Sequence, residues 1–182
     1  MKEISLNILD IAENSVKANA SLTEIYVDEV ADKLTLTIKD DGCGMDEQTV
    51  RSVIDPFYTT RKTRKVGLGI PLLKLACEQT GGNLTIVSDN TAEDHGTTVT
   101  ALFFKNHIDF TPLGDVSASI VTLIQGHPNT DFLFRHTTER GCVELDTREL
   151  RTVLEDVPLD TYEVICWIRD NLGEQYEAIN LN

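Results

Sequence analysis

Apolar residues recur along the first part of the chain at spacings that predict one helix followed by two strands. The opening helix is predicted by four residues that share one face at intervals of three and four: Ile4, Ile8, Ile11 and Ser15. The stretches 20–30 and 32–40 then alternate apolar with polar positions, as strands with one buried face do. We expect a tight turn at Ala31 and Asp32 to join these two strands.

A second helix and two more strands follow in the same manner. The stretch GIPLLKLACEQTGG predicts a helix that begins near Pro71, which a first turn tolerates, and ends at the Gly81–Gly82 pair. The segments 83–89 and 96–105 are predicted to be two strands joined by a polar turn. Strands and helices thus interleave through about residue 106, which predicts an α/β two-layer sandwich with helices on one mixed sheet.

After residue 106 the pattern changes, and we expect a small C-terminal α+β region. Its predicted elements are a helix near 115–125, strands near 130–136 and 141–145, and helices opened by Asp146 and Asp160. A glutamate stands three residues after each of these two aspartates, at Glu149 and Glu163, which is the spacing of a capping box.

Composition and charge narrow the class of protein. The 182 residues carry a net charge of −14, which argues against a general nucleic-acid binder. No apolar run approaches the roughly 20 residues that cross a bilayer, and the N-terminus lacks a secretion signal, so we expect a cytoplasmic protein that does not bind a membrane.

Four scattered cysteines form no CxxC pair, and we expect them to be small buried hydrophobic residues: Cys43, Cys77, Cys142 and Cys166.

The stretch KDDGCGMD, residues 39–46, places three acids around two glycines directly after a predicted strand. A calcium loop that began at Asp40 would need oxygen ligands where Gly42 and Gly44 stand, and a closing glutamate where Arg51 stands. Calcium binding of this kind is therefore excluded. Taken alone, the stretch is as compatible with a plain hairpin turn as with a loop that admits a ligand.

Its neighbours favour a ligand. LDIAENSVKANA precedes the loop, and DPFYTTRK, VGLGIP and HGTTVTALF follow it in that order. Together they resemble the Bergerat-fold ATP-binding domain shared by gyrase, heat-shock chaperones, histidine kinases and mismatch-repair ATPases, the GHKL superfamily. The resemblance covers roughly residues 5–105, nearest to the histidine kinase and anti-sigma serine kinase branch. It implies an ATP-binding domain over 1–106, beside an acidic region over 107–182.

The resemblance assigns the acid–glycine loop to the adenine base. Asp40 would accept a hydrogen bond from the adenine amino group. Gly42 and Gly44 would leave space for the purine and allow a sharp turn. Thr97 would reach the same adenine through Asp40 and a water.

At the phosphate end, the resemblance implies that Asn14 binds Mg²⁺ and that Lys17 contacts phosphate. The residues expected to surround the phosphates from the lid and the following glycine motif are Thr59, Thr60, Arg61, Lys62, Gly67, Leu68 and Gly69. In the lid, Arg61, Lys62, Arg64 and Lys65 are either a phosphate clamp or an ordinary solvated surface.

Asp10 stands four residues before Asn14. In the ATPases and serine kinases that this chain resembles, the corresponding position carries a glutamate that acts as a general base. We expect Asp10 rather than Glu13 to be the catalytic base, and a structural role for both stays open. The resemblance also implies that a self-contained histidine kinase would carry a helical hairpin before this domain. Because the motifs start at the first residues, we do not expect self-phosphorylation.

These observations predict an Mg²⁺-dependent ATP-binding protein that serves phosphoryl transfer to a partner protein or ATP hydrolysis in signalling. The alternative is a nucleotide-gated interaction module without turnover. A partner protein is expected on the lid or on the C-terminal region, and the oligomeric state is left open, a homodimer included. The four histidines are expected to be surface or packing residues: His95, His107, His127 and His136.

Overall fold

The computed structural model describes residues 3–54, 68–91, 93 and 95–180. Within this part of the chain, the helices and strands except α2 follow one another as the spacing of apolar residues predicts. The elements are α1 Ile4–Lys17, β1 Leu22–Val30, β2 Lys33–Asp40, α2 Glu47–Val53, α3 Gly69–Gln79, β3 Asn83–Asp89, β4 Gly96–Phe104, α4 Val116–Gly126, β5 Asp131–Thr138, β6 Gly141–Asp146, α5 Thr147–Leu154 and α6 Tyr162–Asn180.

The strands form one mixed sheet in the order β3-β4-β2-β1-β5-β6. Neighbouring strands are antiparallel except β1 and β5, which run parallel and place Ile25 beside Phe134. The residues of α1, α3, α4 and α6 that face the sheet join its inward side chains in one hydrophobic cluster. This arrangement confirms the predicted α/β sandwich with helices on a mixed sheet.

The strands that follow residue 106 extend the sheet of the strands that precede it. The parallel pairing of β5 with β1 makes this connection, and Phe132 and Phe134 are buried in the common core. The chain between the two parts also contacts α1, since the N–H groups of Ile4 and Ser5 donate to the carbonyls of Pro112 and Leu113 at 2.9 and 2.8 Å. Whether 1–106 and 107–182 are separate domains stays a prediction.

Some local expectations need correction. The helix α2 was not predicted, although Asp46 caps it by accepting from the N–H of Thr49 at 2.7 Å. The last helix begins at Tyr162 and not at Asp160. Its first hydrogen bond runs from the N–H of Ile165 to the carbonyl of Thr161, which places Thr161 directly before the helix.

The cysteines also differ from expectation. Cys77 is buried and Cys166 is half-buried, but Cys43 and Cys142 are exposed, so the interpretation as buried hydrophobic residues is wrong for these two. Cys43 lies between two glycines of a tight loop and Cys142 lies on the outer face of β6, so neither side chain can reach the core. Across the described residues, the helices lack the combination of length and apolarity that crossing a bilayer requires.

The shared core predicts a single unfolding transition. Ile38 of β2 and Ile120 of α4 are 1% and 0% exposed, on either side of residue 106. Replacing either by Val should lower the free energy of unfolding by about 0.5–1.5 kcal/mol, because one buried methyl group is lost. Urea unfolding followed by circular dichroism and by Trp167 fluorescence would measure both variants. Ile108→Val is the matched control, since Ile108 is 94% exposed and should change little. Two separable transitions would contradict a common core.

Candidate functional site

The carboxylate of Asp40 is held at the end of β2 by groups from two other segments. The hydroxyl of Ser15 on α1 donates to Oδ2 at 2.7 Å, and the N–H of Gly42 donates to Oδ1 at 3.0 Å. Each oxygen thus has one partner in the described part of the chain and a further lone pair for a ligand. The side chain is positioned and remains able to accept.

Thr97 stands beside Asp40 in the register of β2 with β4. Its hydroxyl is 2.8 Å from that of Ser88 on β3, and Ser88 in turn accepts from the N–H of Met45 at 2.8 Å and donates to the carbonyl of Gly96 at 2.9 Å. The sequence placed Thr97 near the acid–glycine loop, and the structure does bring the two together.

The neighbouring Asp41 holds the acid–glycine loop against the start of β1. Its Oδ1 accepts from the N–H groups of Ser21 and Leu22 at 2.8 and 2.9 Å, which ties the loop to the start of β1. Burial raises the pKa of the Asp41 carboxyl, but these donors and the Ser21 hydroxyl lower it further, so it lies below its usual range. Of the two adjacent acids, Asp41 fixes the loop and Asp40 is the one with capacity for a ligand.

Gly42 and Gly44 are required by close packing of the loop itself. A Cβ on Gly44, where φ is +66°, would lie 1.7 Å from the carbonyl oxygen of Asp89. A Cβ on Gly42 would lie 2.8 Å from the Cβ of Ala18 at the end of α1. The sharp turn expected at this loop is therefore present, while the space expected for a purine beside these glycines stays a prediction.

Helix α1 presents a polar face next to this loop. Asp10, Asn14 and Lys17 are exposed and follow one another at intervals of four and three, so they share one side of the helix. Glu13 differs from these residues because its carboxylate is paired on both sides. It pairs with Lys17 at 3.1 Å and with Nε2 of His127, beyond the end of α4, at 2.7 Å.

The first turn of α3 abuts this polar face. A Cβ on Gly69 would lie 3.3 Å from the Cβ of Asp10, so the start of α3 and the middle of α1 are in contact. Leu68 at the N-cap supplies no side-chain hydrogen bond to the first N–H groups. Free N–H groups at a helix start favour an anion.

Several predicted residues lie outside the described residues, so their contacts stay predictions: Thr59, Thr60, Arg61, Lys62, Arg64, Lys65 and Gly67. Two described contacts were missed from the sequence. Ser15 was assigned only to a helix face, and His95, whose Nδ1 is 2.7 Å from the carbonyl oxygen of Gly42, was assigned no contact. The HGTT motif that contains His95 was the available signal.

The donor set suits a nucleotide with a hard cation. In the described part of the chain no three His, Cys, Asp or Glu side chains group as an all-protein metal site would require. Mg²⁺ instead takes one or two protein oxygens and completes its shell with phosphates and water. The exposed amide of Asn14 offers one such oxygen, and the carboxylate of Asp40 offers a hydrogen-bond acceptor.

Comparisons with known proteins match the first part of the chain. The model for the family described as histidine kinase-, DNA gyrase B-, and HSP90-like ATPase matches residues 2–108, more than half of the chain. The sensor histidine kinase YvrG of Bacillus subtilis is 33% identical over 98 residues, which cover 50% of this chain and 16% of that protein. The signal transduction histidine-protein kinase AtoS of Escherichia coli is 31% identical over 91 residues, 48% and 14%. The chain therefore spans less than a fifth of either relative.

Among solved structures, the N-terminal domain of a DNA repair protein superposes with a TM-score of 0.57 at 16% identity. The superposition covers 80% of this chain and 52% of the DNA repair protein's chain. At this identity the likeness concerns the fold alone.

The contact of Glu13 with His127 and Lys17 predicts a pH-dependent contribution to stability. The hydrogen bond from His127, opposed by burial and assisted by Lys17, holds the pKa of Glu13 below its ordinary value of 4.5. A lowered pKa stabilises the fold above the unfolded value and loses that effect as the pH falls through the folded value. Because Glu13 is a third exposed, we expect Glu13→Gln to cost no more than about 1 kcal/mol at pH 7.

Urea unfolding of wild type and Glu13→Gln at neutral pH and near pH 3 would measure the difference, which should shrink in acid. Glu47→Gln is the matched control, because Glu47 also pairs with an i,i+4 base, Arg51, but is 82% exposed. A difference that is the same at both pH values would exclude the proposed linkage.

Proposed function

Because the chain belongs to the histidine kinase-, DNA gyrase B- and HSP90-like ATPase family, we propose that it binds ATP with Mg²⁺ and transfers the γ-phosphoryl group to a partner protein. The observation that carries the proposal is the fixed carboxylate of Asp40 beside a helix face with Asp10, Asn14 and Lys17. This arrangement offers an acceptor for a base at one end and polar groups for phosphates at the other.

Asp40 is the residue that would select adenine. Its carboxylate is held by Ser15 and Gly42, so it cannot turn away without breaking both hydrogen bonds. A carboxylate only accepts, and the amino group of adenine only donates. Such a pairing favours adenine over guanine, which presents a carbonyl at the corresponding position.

The phosphates would lie along the polar face of α1 toward the start of α3. Asn14 supplies a neutral oxygen to Mg²⁺, Lys17 supplies one positive charge, and the start of α3 packs beside Asp10 on the same helix. Mg²⁺ neutralises charge on the phosphates when it is bound. Lys17 must then exchange its contact with Glu13 for one with phosphate, which its exposed position allows.

Asp10 would be the base in this site. Its side chain is exposed on the same helix face, one turn before Asn14, and its Cβ lies against the start of α3. The carboxylate would orient an attacking hydroxyl or water and accept its proton as the new P–O bond forms and the bond to ADP breaks. A Ser, a Thr or water is therefore the acceptor that Asp10 supports.

A second function is favoured by one contact. Glu13 connects Lys17 on the phosphate face to His127, which belongs to the part of the chain after residue 106. If Lys17 leaves Glu13 for phosphate, the pairing with His127 changes too. The chain would then act as a nucleotide-gated interaction module, with ATP altering the surface near α4. Both functions require a partner protein, and both suit a cytoplasmic location.

Asp40→Asn tests adenine binding. The single amide oxygen can accept from only one of Ser15 and Gly42, but Asp41 still holds the loop, so the fold should survive. The NH₂ group can also direct a donor toward the donor of adenine. Losing such a buried pairing costs about 1–3 kcal/mol, so the Kd for ATP should rise about ten- to hundredfold in a calorimetric titration. Asp170→Asn, an exposed position on α6, is the control and should leave the Kd unaltered. An unaltered Kd in Asp40→Asn would refute the adenine assignment.

Asp10→Asn tests the reaction, with γ-labelled ATP and candidate partner proteins. ATP binding should persist, because the substitution keeps the shape of the side chain and leaves Asn14 in place. Transfer of label to protein or to phosphate should fall on the order of a hundredfold, the scale for losing a general base. Asp46→Asn, which changes an acid outside the polar face of α1, is the control.

The outcomes separate the two functions. Unaltered turnover in Asp10→Asn would show that Asp10 is not the base. Absence of turnover in both forms, with ATP still bound and partners present, would favour the nucleotide-gated module.

A further inference from the structure

A polar cavity of about 380 Å³ lies at the end of the sheet opposite Asp40. Asp40 pairs with Thr23 near the start of β1, whereas the cavity is reached at Glu29 near its end, roughly 20 Å further along the strand. The charged and titratable residues that line it are Glu29, Lys105, His136, Glu139, Arg140 and Tyr176. Nothing in the proposed nucleotide site uses these residues.

A hydrogen-bonded chain of side chains forms one wall of the cavity. His136, only 4% exposed, lies with Nε2 3.0 Å from Glu29 and with Nδ1 2.8 Å from the hydroxyl of Tyr176. Lys105 donates to the other oxygen of Glu29 at 2.9 Å. Burial raises the pKa of Glu29, yet the hydrogen bonds from Lys105 and His136 lower it further, so its pKa lies below its usual range.

The direction of these hydrogen bonds follows from chemistry. An ionised Glu29 only accepts, so Nε2 of His136 carries a hydrogen. In the neutral ring Nδ1 then accepts, and the hydroxyl of Tyr176 donates to it. Burial raises the pKa of Tyr176, so this phenol keeps its proton. The lone pairs of the phenol oxygen remain available to a group in the cavity.

Hydrophobic side chains of similar size often stabilise a fold as well as a buried ionic network does. Burying ionisable groups costs free energy that their mutual attraction often only offsets, so a buried ionic network is weak evidence of a stabilising role. Desolvated, mutually bonded titratable groups on the wall of a cavity are more typical of a binding site. The volume also lies within the usual range for small-molecule sites.

The spare hydrogen-bonding capacity in the cavity indicates the ligand. The guanidinium of Arg140 has no partner among the residues that the structure describes, and only its backbone N–H is engaged, with Thr138. Glu139 accepts from the N–H of Ala31 with Oε1, and its other oxygen is unpartnered within the same residues. One exposed cation and one exposed carboxylate oxygen at the cavity thus have no partner among the described residues, while Lys105 and Glu29 neutralise each other.

We propose that this cavity binds a small zwitterion of the α-amino acid class. Arg140 receives the carboxylate in a two-pronged contact, and Glu139 receives the ammonium group. The charges of the lining cancel, which suits a ligand without net charge. The site joins β1 and the residue after β4 to the β5–β6 turn and α6, so it requires both parts of the chain.

The test uses the full chain and needs no ATP. Free α-amino acids are titrated one at a time, up to about 10 mM, where even weak binding registers. The readouts are the NMR resonances of the His136 ring and the melting temperature. At least one amino acid should shift the His136 resonances saturably and raise the melting temperature. Its N-acetyl derivative, its amide and inorganic phosphate should each bind at least tenfold more weakly.

Arg140→Gln and Glu139→Gln should each weaken that amino acid at least tenfold. Both residues are exposed in a turn, so both variants should fold. Arg51→Gln is the matched control, because Arg51 is an exposed arginine paired with Glu47 on α2, and it should have no effect. The proposal is overturned if no amino acid shifts His136, if the N-acetyl derivative or phosphate binds as tightly, or if the Arg140 variant binds unchanged.

Discussion

The placement of α1 is the constraint on which the candidate site depends. The helix is held at its start by the carbonyls of Pro112 and Leu113, and near its end by the hydrogen bond from Ser15 to Asp40. Between these two anchors its apolar side is buried against the sheet. Because the polar face of the same helix carries Asn14, these two anchors also fix the position of Asn14 relative to the Asp40 carboxylate.

The same helix connects the two parts of the chain. The pairing of Glu13 with His127 and the hydrogen bonds to residues 112–113 both join α1 to segments beyond residue 106. The parallel pairing of β1 with β5 adds a continuous sheet. A change at the polar face of α1 would therefore reach the C-terminal part directly, through the contact of Glu13 with Lys17 and His127, and would require no long path through the core.

Local periodicity was sufficient to predict most helices and strands, since burial of one face imposes a spacing on the sequence. It could not predict α2, because none of that short helix, all of which is described, is buried. Contacts between distant residues leave no local pattern either: His95 with Gly42, and Glu13 with His127. Asp40 was predicted because the motifs around it resemble those of a known family, since the acid–glycine stretch alone is also compatible with a hairpin turn.

The negative charges of α1 oppose the binding of a nucleotide's phosphates. Asp10 and Glu13 carry two negative charges beside the one positive charge of Lys17, and Glu13 already shares that charge. A triphosphate cannot be held by this face alone, since carboxylates repel it. In the proposed function, its binding rests on a divalent cation at Asn14 and on the bases that the sequence supplies between residues 61 and 65. An acidic chain thus gains affinity for an anion only where cations are gathered, and salt should weaken phosphate contacts more than contacts with the base.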